Sequence, residues 1–168
     1  MKTPTPTLAA LIAEHPFTRT FSREHIEILA QGAGETVFQP NEIIFCQGCP
    51  ANRFHLIVEG TVALEFHEPA RPNVLVQKLG PGEVLGWSWL FPPFLWQFQA
   101  RALDRCRLLV LDGAHLLVAS NRDHEFGYQL LLRVSQVVIH RLQAARGQML
   151  GLSSGAVSAT PSSVPAHT

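Results

Sequence analysis

"FQPNEIIFCQGCPANRFHLIVEGTV", residues Phe38 to Val62, decides the architecture. Short β-branched and aromatic runs, such as Ile43 to Phe45 and Phe54 to Val58, are cut by Pro40-Asn41, Gly48, Pro50-Ala51-Asn52 and Glu59-Gly60. The same alternation of short runs and turn residues continues outward. "ALEFHEPARPNVLVQKLGPGEVLGW" (Ala63 to Trp87) breaks at Pro69 to Asn73 and again at Gly80-Pro81-Gly82. "FQARALDRCRLLVLDG" (Phe98 to Gly113) supplies two more runs joined near Asp104-Arg105. Strands of this length, turned about every eight to twelve residues, predict a β-sandwich or barrel over residues 34–112.

Helical periodicity flanks this region. "TLAALIAEH" places Leu8, Leu11 and Ile12 on one face. "SREHIEILAQG" begins with Ser22, a good N-cap, carries Glu24 and Glu27 early, and stops at Gly32. Residues 1–33 are therefore expected to hold N-terminal helices. After Gly113, "AHLLVASNRD" predicts a short helix and residues 124–149 a long one. On the long helix Leu131, Val134, Val138, Leu142, Ala145 and Met149 form one stripe, and Phe126, Leu130 and Val137 an adjacent one. A face this wide either packs entirely on the sandwich or gives one stripe to a partner helix, and the homodimer is the expected form. The C-terminal helices take residues 113–150. The tail 151–168, small, polar and dotted with proline, is expected to be disordered.

Composition narrows the function classes. Of 168 residues 46% are apolar and 15% charged, and thirteen basic residues balance thirteen acidic ones. A protein that grips nucleic acid shows a basic excess, so no nucleic-acid partner is expected. No apolar run has the length of a membrane span or of a secretory leader, and three cysteines make no disulfide framework; a cytoplasmic location without a membrane partner is expected. No His-x-His pair, nucleophile elbow or phosphate loop is present, so neither an enzyme nor a metal or cofactor is expected. Cys46 and Cys49 have the spacing of a redox pair or half a zinc site. With only Cys106 besides, they read as two ordinary thiols.

The pattern F-x-P-N-E-x-I-F-x-Q-G-x-P-A-N-x-F-x-L-I-x-E-G-x-V over Phe38 to Val62, with L-G-P-G-E-V-L-G over Leu79 to Gly86 and a strand pair and long helix after it, resembles the cyclic-nucleotide-binding domain family. The resemblance covers roughly residues 20 to 147. It implies a mainly β fold with flanking helices, an eight-stranded double-sheet jelly roll, and a regulatory module whose long C-terminal helix reports ligand binding. It also implies a ligand site in which a glycine-glutamate pair opens a small helix and an arginine follows on the next strand. There the glycine admits close approach, the glutamate takes a ribose hydroxyl, and the arginine pairs with the cyclic phosphate.

This chain keeps the glycine, Gly86, and loses both charges. Trp87 stands at the glutamate position and Trp96 at the arginine position, followed by Gln97 in place of a small hydroxyl residue; Leu95 takes the arginine position if the alignment slips by one. Losing a buried arginine–phosphate pair costs about 2–5 kcal/mol. Arg101 alternates away from Trp96, Phe98 and Ala100, whose parity points inward, and reads as a solvent-facing strand residue. The candidate ligand-binding residues are Val76, Leu79, Val84, Gly86, Trp87, Ser88, Trp89, Trp96, Gln97 and Val134. Three outcomes stay open for the aromatic cluster: a pocket for a small, flat or apolar ligand, a pocket filled by its own rings in a structural or partner-binding protein, and weak cyclic-nucleotide binding by an unusual route.

Overall fold

The computed structural model describes residues 6–157. They fall into two compact units, one running to Leu131 and the other starting at Leu132. In the first unit, α1 (Leu8–Glu14) and α2 (Arg23–Gln31) flank a 3₁₀ turn at Pro16–Thr18. The Thr7 side chain caps α1 and the Ser22 side chain caps α2, which ends at Gly32 as its sequence predicts.

Eight strands follow: β1 (Ala33–Phe38), β2 (Ile43–Phe45), β3 (Arg53–Glu59), β4 (Val62–Phe66), β5 (Val74–Leu79), β6 (Val84–Leu85), β7 (Gln99–Ala102) and β8 (Cys106–Asp112). They form two four-stranded sheets in the orders β1-β8-β3-β6 and β2-β7-β4-β5, and every pairing is antiparallel. Each turn cluster of the sequence coincides with a crossing between or within sheets, which makes this a jelly roll. Ile57, Val62, Leu64, Leu79, Leu85, Ala100, Ala102, Cys106 and Leu108 form the core, drawn from strands of both sheets.

Strand β3 is buried on both faces. His55 and Ile57 share the face of the sandwich interior, while Phe54 and Leu56, of opposite parity, are buried too. The N-terminal segment covers that outer face: the Phe17 ring meets Phe54 edge-on at 5.2 Å. His15 fastens the cover. The Phe17 amide donates to its Nδ1 (3.2 Å), so Nε2 carries the proton and donates to the Ile57 carbonyl (3.1 Å). Burial, set against that backbone bond, holds the His15 pKa below its usual value, as this neutral tautomer requires.

One end of the sandwich is pinned by two turns. The Thr61 amide donates to Asp104 Oδ1 (2.7 Å) and the Leu103 amide to the Thr61 carbonyl (2.8 Å). Gly60 sits there at φ 88°, and a Cβ on it would lie 2.5 Å from the Arg105 carbonyl oxygen, so no side chain fits between the turns.

α3 (Gly113–Arg122) and α4 (His124–Val157) complete the chain. The His25 ring reaches Asp123 at 3.3 Å and Gln129 at 3.0 Å, tying α2 to the first turns of α4. α4 runs past Gly151, where the sequence predicts a tail; the remainder of that tail, 158–168, lies outside the described residues. Backbone hydrogen bonding needs no apolar stripe, so the small residues after Gly151 extend the helix without giving a packing signal. Among the described residues no helix is long and apolar enough to cross a membrane.

Candidate functional site

Strand β6 delivers the chain to Gly86, which adopts a left-handed conformation (φ 82°, ψ 53°) and caps the 3₁₀ turn Trp87–Leu90. Glycine is needed here for two reasons. The φ value is unfavourable for residues with a Cβ, and a Cβ would lie 2.8 Å from Trp96 Cζ3 and 3.2 Å from His55 Nδ1. The Trp96 ring therefore rests directly against the bare Cα of Gly86.

Trp96 is itself fixed from several sides. Its amide donates to the Cys49 carbonyl (2.9 Å) and its carbonyl accepts from the Gly48 amide (2.8 Å). Its ring stacks on Phe45 with centroids 4.1 Å apart and planes inclined by 17°. Only 4% of Trp96 is exposed. His55 completes the cluster, its ring 5.5 Å from Phe45 and 6.2 Å from Trp96. Burial pushes the His55 pKa down to about 4, against a hydrogen bond from the ring to the Leu85 backbone carbonyl that acts to raise it, so the imidazole is neutral near pH 7. Its buried Nδ1 has no hydrogen-bond partner among the described residues, and neither has Nε1 of the buried Trp89.

The structure brings Gly86 and Trp96 together and adds two residues the sequence did not single out, Phe45 and His55. A signal for them existed: both lie on strands next to turn residues, and His55 has the inward parity of Ile57. Trp89 is buried beside Phe54, with ring centroids 5.9 Å apart. Trp87 and Ser88 are half-buried in the same 3₁₀ turn, and the Ser88 carbonyl accepts from the Phe91 amide (3.4 Å). Leu79 and Val84 are fully interior, Leu79 as part of the sandwich core. Val76 is 40% exposed on β5, and Gln97 is exposed with its amide donating to the Leu95 carbonyl (3.1 Å). Val134 is buried and belongs to the second unit.

Phe98 departs from its expected inward parity and is 36% exposed. The reason is local: β7 starts at Gln99, so the strand alternation that buries Ala100 and Ala102 has not begun at Phe98. Arg101 does alternate outward, yet it is not left to solvent. It pairs with both carboxylate oxygens of the buried Glu65, with Nε 3.2 Å from Oε2, and its Nη1 reaches Asn41 Oδ1 at 2.9 Å. The guanidinium holds the Glu65 carboxyl below the usual carboxylate range, helped by Asn73 and Gln99.

The geometry is thus a jelly roll with a glycine-opened 3₁₀ turn after β6 and the Trp96 ring packed against that glycine. Residues 35–123, more than half of the chain, match the family of the cyclic nucleotide-binding domain, and this chain belongs to that family. Solved structures share the fold. A protein of Geobacter metallireducens GS-15 assigned as a cyclic nucleotide-binding protein is 26% identical, with a TM-score of 0.69 over 76% of this chain and 92% of that one. A cyclic nucleotide-binding domain from Methylobacillus flagellatus KT is 17% identical, with a TM-score of 0.76 over 94% of this chain and 86% of that one. The catabolite activator protein of Thermus thermophilus is 21% identical, with a TM-score of 0.65 over 82% of this chain and 63% of that one. No curated protein matches the sequence.

Proposed function

We propose that this chain is a non-enzymatic regulatory module whose phosphate-binding corner is filled by Trp96, so that it does not bind cyclic AMP or cyclic GMP tightly. One observation carries the reading: the ring at the arginine position is buried, stacked on Phe45 and seated against Gly86. In the family that space holds an anion met by a guanidinium. Here it holds indole carbon, which offers no charge and leaves no room. The module acts through its surfaces, with α4 as the homodimer helix. Ile139 and Leu142, one turn apart on α4, are both more than half exposed in the single chain, which supports a second copy lying along them.

Calorimetry with cyclic AMP and cyclic GMP tests the proposal. No heat of binding is expected at micromolar nucleotide, and micromolar or tighter binding of either overturns it. The double variant Trp87→Glu, Trp96→Arg restores both charged positions and is expected to gain measurable binding.

A second reading, a pocket for a small apolar ligand, draws on His55 Nδ1 and Trp89 Nε1. Two buried polar atoms without partners are costly, about 1–3 kcal/mol each, and a ligand with a single acceptor or donor would relieve one of them. Thermal-shift screening separates the two readings, since a ligand that binds the folded form raises the melting temperature with its concentration.

A further inference from the structure

With only Cys106 besides, Cys46 and Cys49 read from the sequence as two ordinary thiols, but the fold sets them at the two ends of one tight turn. β2 ends at Phe45, the chain reverses through Gln47 and Gly48, and the Cys49 amide donates to the Cys46 carbonyl at 3.3 Å. Gly48 takes φ 79°, the conformation that the third position of a type II turn demands. Such a turn brings its first and fourth Cα atoms within about 7 Å, and a disulfide spans about 4.4–6.8 Å between Cα atoms. Both residues are exposed, whereas Cys106 is buried. Burial raises the Cys46 pKa first, followed by the Cys49 thiol, which is close enough to hydrogen-bond with it. Among the described residues no group of three or more His, Cys, Asp or Glu is placed to hold a metal, so the pair is not part of a metal site there.

The same turn grips the aromatic corner. Gly48 and Cys49 make both backbone hydrogen bonds to Trp96, the Ala51 amide donates to the Phe94 carbonyl (2.7 Å), and Phe45, the residue before Cys46, carries the ring stacked on Trp96. We propose that Cys46 and Cys49 form a reversible dithiol–disulfide site, oxidised by small disulfides, and that closing it re-forms this turn and moves Trp96.

The step balances as follows. One cysteine thiolate attacks a small disulfide R–S–S–R, forming a mixed disulfide and releasing R–S⁻. The other thiolate attacks the protein sulfur of that mixed disulfide, forming the Cys46–Cys49 bond and releasing a second R–S⁻. The dithiol loses two electrons and two protons; the small disulfide gains them as two thiols. Because the Cys46 thiol titrates above its ordinary value, exchange accelerates as pH rises.

The proposal is independent of what the aromatic corner binds, since nucleotide calorimetry is run on reduced protein. Its test equilibrates the full chain in glutathione buffers of stepped oxidised-to-reduced ratio, then traps free thiols with an alkylating agent for peptide mass spectrometry. Tryptophan emission is followed in parallel. The expected result is an intramolecular Cys46–Cys49 disulfide with Cys106 still reduced, and an emission change with the same midpoint. Cys49→Ser is expected to take up glutathione at Cys46 and to lose that emission step. Glutathione adducts without the intramolecular bond, or a bond that forms while emission stays constant, overturn the proposal.

Discussion

Trp96→Ala is the sharpest perturbation of the aromatic corner. The side chain is 4% exposed and makes its closest ring contact, 4.1 Å, with Phe45. Truncating a buried Trp to Ala costs about 3–5 kcal/mol, because transfer energy is lost and the space left behind closes only in part. Stacking supplies about 0.5–1.5 kcal/mol of that. The site cannot collapse easily, since Gly86 offers no side chain to move in and the Trp96 backbone is held by Gly48 and Cys49. The upper half of the range is therefore expected, which for a chain of this size lowers Tm by about 10 °C. Urea unfolding followed by far-ultraviolet circular dichroism, in reducing buffer, measures it. Indole added to the variant is expected to recover part of the loss by filling the cavity, as a ligand that binds only the folded form must. A loss below about 1 kcal/mol, with no effect of indole, refutes the reasoning, because Trp96 then does not fill the corner.

Gly86→Ala introduces a Cβ at φ 82° and 2.8 Å from the Trp96 ring; strain and overpacking together are expected to cost about 2–4 kcal/mol, read as a shift of the urea midpoint. His55 gives a pH signature. Its folded pKa of about 4 lies below the ordinary 6.5, so the unfolded chain binds a proton that the native state refuses. The His55 contribution is complete above pH 6.5, falls as pH drops toward 4 and is level below that, amounting to about 2 kcal/mol between pH 7 and pH 5. Comparison with His55→Gln across that window isolates it from His15, and equal slopes in the two proteins contradict the burial. Glu65→Gln strips the partner from Arg101 and is expected to cost about 1–3 kcal/mol, with a smaller loss of stability between pH 6 and pH 3 than the parent shows. Ile139→Glu with Leu142→Glu is expected to leave far-ultraviolet dichroism intact and to halve the mass found by light scattering; an unchanged mass removes α4 as the dimer helix.

The fold was legible because its punctuation is chemical. Gly60, Gly86, Pro40-Asn41 and Ser22 each demand a local geometry whatever the tertiary context, and each stands where its type predicts. The helix and strand alternation added the faces, down to the inward Ala100 and Ala102. What stayed hidden depends on partners distant in sequence. Nothing near Trp96 says that Phe45, more than fifty residues earlier, will stack on it; the pairing of β2 with β7 decides that. Arg101 was correctly turned outward, but its destination, Glu65, is fixed by the β4–β7 register and by the burial of a carboxylate, which composition does not reveal. Phe98 fails because a parity argument was carried one residue beyond the end of its strand. The end of α4 was missed for a related reason: a helix can outlast its apolar stripe.

The bolt between the Gly60 and Asp104 turns bears on how the barrel-like shell can deform. Thr61 and Leu103 stitch the two turns together amide to oxygen, with no slack for even a methyl group. His55 lies four residues up β3 from Glu59, about 13 Å from this seam at the usual strand rise, in the same neighbourhood as Gly86 and the indole resting on it. A shell riveted at one rim yields at the other. Swelling of the interior is therefore expected to register in tryptophan emission before the Leu103 amide loses its protection from hydrogen exchange.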